Sequence, residues 1–136
     1  METIELNHLA IISAAASTFL LGGIWFSPLM FEKAWKEENK FTDEFIKSTN
    51  KPLKVFGLSA VFSLIMAYNL GFFLGSPEVK ALMGTVYGFL TGFGWVAMAL
   101  FIIGLFERKS WRYMLMNGGY MIVAFTIMGL IIGAWK

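Results

Sequence analysis

At 136 residues the chain has room for one domain. It is 57% hydrophobic and only 15% charged, with a mean hydropathy of +0.66, too little polar material to cover a soluble domain. The net charge is a mild +2, and with no cysteine the chain has no disulfides, thiol catalysis or thiolate metal sites.

Four stretches contain no Asp, Glu, Lys or Arg: 6–31, 55–77, 81–106 and 113–135. The shortest has 23 residues, about 35 Å as α-helix, against a hydrocarbon core of about 30 Å. None shows the polar stripe of a soluble bundle helix. The expected fold is therefore an all-α membrane protein, a single domain of four transmembrane helices in an antiparallel bundle. The spans are expected at about 7–28, 53–74, 78–106 and 111–135, with a cytoplasmic loop over 32–52. With four spans, Lys33, Lys36, Lys40, Lys47, Lys51, Lys54, Arg108, Lys109 and Arg112 share one face, while the other carries Lys80 and Lys136. Nine basic residues against two predict both termini outside. These cations read as topology signals and not as nucleic-acid contacts.

The first helix is expected from about Asn7 to Phe26 and uncleaved, because Met1 to His8 lacks the basic start of a signal peptide. Ala10, Ala14, Thr18 and Gly22 recur every four residues, giving a face small enough for close helix approach. His8, the only histidine, reads as an interfacial polar residue, with a proton carrier or metal ligand as the sharper alternative. Trp25, Trp35 and Trp111 are expected as interface anchors. Ser27 and Pro28 read as one helix stop and the next start, Ser27 capping and Pro28 first in the helix.

In the loop, Thr42 is expected to cap a short interfacial helix, with Asp43 and Glu44 in its first turn and Phe41 meeting Ile46 as a hydrophobic staple. Ser76 and Pro77 repeat the start signal, placing Glu78 in the first turn of the third span. There Gly84, Gly88 and Gly92 form two overlapping G-x-x-x-G motifs, and Gly129 with Gly133 makes another small pair in the fourth span. Whether the stripe's partner lies in this chain or another is open, and Gly104 falls outside it. The exits of the first and third spans resemble each other, as a duplicated hairpin or shared interface anchoring would require.

No ionisable residue of the four types lies within a span, which argues against a proton- or sodium-coupled carrier. The polar groups left at membrane depth are neutral. Asn69, Trp95, Asn117 and Tyr120 are the candidates for a polar pocket holding a lipid-like or quinone-like ligand; interhelical hydrogen bonding is the plainer reading. No catalytic residue, metal site or cofactor is expected.

Gly22, Trp25, Phe26, Ser27, Pro28, Phe31, Lys33, Ala34 and Trp35 form one motif. Leu105, Phe106, Glu107, Ser110 and Trp111 form a second, and Asn117, Gly118, Gly119 and Tyr120 a third, followed by Gly129 and Trp135. On these residues, which span nearly the whole chain, the sequence resembles the bacterial integral-membrane family catalogued as domain of unknown function 1761. Phe26 stands where that family usually has tyrosine, and His8 where it has the tryptophan of an Asn-Trp pair. The resemblance implies a four-span protein of the bacterial inner (cytoplasmic) membrane and carries no activity. The expected function is a non-enzymatic membrane module for helical assembly or lipid binding; the alternative is a small oligomeric permease or pore for a neutral solute. Its expected partners are membrane lipids and further copies of itself or a larger membrane complex, not nucleic acid.

Overall fold

A computed structural model of the chain describes residues 5–136, and every regular element among them is helical. In order these are α1 (His8–Trp25), α2 (Glu32–Asn39), α3 (Asp43–Ser48), α4 (Pro52–Leu74), α5 (Ala81–Thr91), a π-helical stretch (Gly92–Ala97), α6 (Met98–Phe106) and α7 (Trp111–Ala134). The π stretch joins α5 to α6, so Ala81–Phe106 is one continuous third span; with α1, α4 and α7 it makes four helices long and apolar enough to cross a membrane.

The spans run antiparallel, as two sets of contacts establish. At one end Arg112 Nη1 meets Glu37 Oε2 at 2.9 Å and the Ser110 hydroxyl donates to Glu38, tying α2 to the start of α7. At the other, Asn7 accepts from the Ala10 amide (3.1 Å), capping α1, while its own Nδ2 donates to the Trp135 carbonyl (3.1 Å). Lys136 Nζ donates there to the carbonyls of Leu74 and Ser76 at the end of α4, where a cation suits the helix dipole. Burial, with the charge of Lys80, holds the Lys136 ammonium below its ordinary pKa. The first is the loop end of the bundle and the second its termini end.

α7 is the hub. Ile11, Ala14 and Ala15 of α1, Ala67, Leu70 and Leu74 of α4, and Phe125, Met128 and Ile132 of α7 form the buried core. The small face of α1 lies against α7 and α4, with Ala10, Ala14 and Thr18 buried and Gly22 under the Tyr120 hydroxyl. The glycine stripe finds its partner within the chain. Gly84 and Gly88 lie directly on the backbone of α7 at Gly129 and Phe125, and a Cβ on Gly92 would stand 2.9 Å from the Met121 carbonyl oxygen. Gly129 and Gly133 return the contact against Gly84, Gly88 and Lys80.

The π stretch keeps that contact in register. Gly92 and Ala97 are both buried although five residues apart, one more than an α-helical face allows. A π turn closes with i→i+5 bonds and absorbs the extra residue. Beyond it the third span still faces α7: Gly118 packs under Phe101 and Ala97, and Gly104 under the flexible Met114 side chain. Gly104, expected outside the stripe, thus faces α7 as well, whereas Gly94 faces open space.

Neither Ser-Pro pair starts a helix where expected. α1 ends at Trp25, and the Ser27 hydroxyl donates back to Ile24 O (2.6 Å) and accepts from Leu29 N (3.2 Å) in a turn; α2 begins only at Glu32. Val79 N likewise returns to Ser76 O (3.0 Å), so Glu78 precedes the third span, which starts at Ala81. In both places the serine closes a local turn that competes with helix. Thr42 does cap α3 through Phe45 N (3.0 Å), but Phe41 stacks on Phe45, at 5.1 Å between centroids, and edge-on to Trp35. Lys36 joins α2 to α3 through Asp43 (3.1 Å), which raises its ammonium pKa; so exposed a pair adds little stability.

Candidate functional site

α4 and α5 barely touch, although one follows the other in the chain. Between them opens a cleft of about 600 Å³, floored by Phe125 of α7. Ile65, Met66, Leu70 and Phe73 form one wall, with Leu90 and Val96 opposite. α7 draws α5 close through the glycine stripe and α4 through the Leu70–Met128 core, leaving the two outer faces splayed. No ionisable side chain other than a tyrosine lines the cleft.

Four polar side chains do: Asn69, Tyr87, Thr91 and Trp95. Asn69 donates to Ile65 O of its own helix (2.9 Å) and Thr91 to Tyr87 O (2.8 Å), so neither bridges helices. One N–H and the carbonyl of the Asn69 amide, the Tyr87 hydroxyl and the Trp95 indole N–H have no hydrogen-bond partner among the described residues. Trp95 is 71% exposed, so its ring lies open to the cleft and to lipid.

Their depths follow from helix geometry. Asn69 lies five residues before the end of α4 and Tyr87 six after the start of α5, so both backbones sit roughly 8–9 Å from the termini end; Trp95 sits roughly 21 Å from it. Side chains lean toward their own helix N-terminus, so Tyr87 and Trp95 lean toward the termini end and Asn69 toward the loop end. The Asn69 amide thereby falls between the hydroxyl above and the indole below. Had α-helix continued past Gly92, Trp95 would have turned toward α7; the slower rotation of the π stretch holds it on the face shared with Tyr87 and Thr91.

Of the four residues expected to form one pocket, the cleft brings together Asn69 and Trp95. Asn117 and Tyr120 do not line it. Tyr120 works at the α1–α7 contact: its hydroxyl donates to Thr18 O (2.9 Å), and its ring meets Phe26 edge-on. Beside it Trp25 donates its indole N–H to Met116 O (3.0 Å) and lies over Gly119. Asn117 is half-buried in the same part of α7. His8 pairs with Tyr68 at 2.8 Å across α1 and α4. Between the spans and their caps, side-chain hydrogen bonds come from Asn7, His8, Trp25, Tyr68, Tyr120 and Lys136, and the cleft polar groups take no part in them. Of the other anchors, Trp111 is exposed beside Phe101 and Trp35 packs on Phe41. Tyr87 and Thr91 are the cleft residues that sequence alone did not single out; their own i, i+4 spacing was the available signal, and the π turn hid their alignment with Trp95.

Four membrane-length helices, three of them gathered on α7, with a side-opening cleft between two of those three, define a small multi-pass membrane helix bundle. A family model described as "Protein of unknown function (DUF1761)" matches residues 9–133, and the chain belongs to that family. No curated protein and no solved structure matches it.

Proposed function

We propose that the protein is a non-enzymatic lipid-binding module of the bacterial inner membrane, whose α4–α5 cleft holds one uncharged, membrane-dissolved molecule. The observation that carries this reading is the set of unpartnered polar groups on an apolar wall at membrane depth. Lipid tails offer such groups no partner, and leaving them unpaired costs free energy that an occupant would recover. The cleft volume lies within the usual range for ligand sites. Because the glycine faces are consumed inside the chain, assembly with further copies would have to use another surface.

Protein purified from its native membrane in mild detergent should retain about one neutral lipid per chain by mass spectrometry. Leu90→Trp, which fills the cleft from an exposed position, should lose that molecule and keep the fold. Equal retention by both proteins would sink the reading.

In this proposal the termini end faces outward, on the basic-residue asymmetry. The cysteine-free chain allows single cysteines at Lys47 and Lys136. An impermeant thiol reagent on intact spheroplasts should label position 136 and spare position 47; the reverse pattern would invert the orientation.

A further inference from the structure

Resting on that reading, we infer that the occupant is a quinone-class lipid: a flat, uncharged ring bearing carbonyl oxygens on an apolar tail. The chemistry of the cleft wall selects it. The groups left without partners are rich in donors, namely the Tyr87 O–H, the Trp95 indole N–H and one N–H of Asn69. Their complement is a molecule that accepts at more than one place, and carbonyl oxygens do so without charge. A cleft lined by no Asp, Glu, Lys, Arg or His offers nothing to a phosphate or ammonium headgroup.

Shape points the same way. Phe73, Tyr87, Trp95 and Phe125 all contribute rings to the lining, which suits a planar π-system stacked or edge-on among them. The donors occur at successive depths, Tyr87 and Trp95 on the third span and Asn69 on α4, so a ring at the Asn69 level has donors toward both of its ends. Ile65, Met66, Leu90 and Val96 line the rest for a tail that leaves sideways into the bilayer. The cleft volume of about 600 Å³ suits a ring and the first part of one chain.

The test uses the full chain in detergent, a benzoquinone carrying a ten-carbon tail as the probe, and two comparison probes of the same tail length: the alkylbenzene without carbonyls and a monoacylglycerol. Native mass spectrometry counts bound probe. The quinone should saturate at one per chain while the alkylbenzene stays unbound. Asn69→Leu, Tyr87→Phe and Trp95→Phe should each weaken the quinone by about threefold to tenfold, the range expected for one hydrogen bond in a membrane protein. Thermal melting of each variant confirms the fold; one that has lost it is replaced by a second substitution that also lacks the polar group, Asn69→Ala, Tyr87→Met or Trp95→Leu. Quinone and alkylbenzene binding alike, or quinone affinity unmoved in all three variants, overturns the assignment. If the monoacylglycerol binds instead and is lost in Leu90→Trp, the quinone class is wrong and the lipid-binding reading stands. If no probe binds and no native lipid is retained, both fall.

Discussion

Gly88→Leu is expected to remove most of the folded protein from the membrane. The glycine lies against the Phe125 carbonyl and the Gly129 α-carbon, both backbone atoms that cannot rotate away. A leucine there must push α5 off α7 along the whole stripe, and the cost should exceed about 3 kcal/mol, beyond the usual range for an overpacked core. Gly94→Leu, six residues further along the same span but with open space around its α-carbon, should fold as wild type. Gly104→Leu should fall between them, since Met114 can move aside. The check is the yield of monodisperse protein and its melting temperature. Wild-type values for Gly88→Leu would mean that the α5–α7 contact is not close-packed.

The second large effect comes from changing chain length within the third span. Deleting Gly94 brings Gly92 and Ala97 to the i, i+4 spacing of an ordinary α-helical face, so the π turn can disappear while both residues stay on α7. Folded yield should remain within about twofold of wild type. Inserting one alanine between Phe89 and Leu90 adds a second surplus residue and rotates Gly92 and Ala97 by roughly 100° off α7. It should cost as much as Gly88→Leu. Equal damage from both changes would show that the π stretch does not act as the absorber of one extra residue.

The same residues mark how far sequence alone reaches. The four spans follow from the distances between charged residues, and the glycine stripe from its period of four; both are local patterns set by the bilayer and by helix geometry. Thr42 was legible as a cap for the same reason. Ser27 and Ser76 were not, because a serine hydroxyl suits a turn as well as a cap, and the backbone beyond the proline decides between them. The continuation of the stripe to Ala97 and Gly104 was hidden by the π turn, where the α-helical period fails. The cleft was half legible: Asn69 and Trp95 stood out as polar groups in apolar runs, yet so did Asn117 and Tyr120. Separating them required knowing that α7 holds α4 and α5 apart on one side while Tyr120 closes on Thr18 on the other.

The most direct test of a lipid held in the cleft compares two neighbouring positions at nearly equal depth. Leu90 lines the cleft, whereas Phe89 is exposed on an adjoining face and does not line it. Phe89→Leu puts leucine methyl groups at both positions without filling the cleft, and oxygen dissolved in the bilayer, through the relaxation it imposes on each methyl, reports how freely that position meets fluid lipid. In native lipid the methyls at 90 are expected to be shielded relative to those at 89, with the difference vanishing once the retained molecule is stripped away. Equal oxygen access at both positions in native lipid would contradict a bound occupant and leave the cleft filled by ordinary fluid chains.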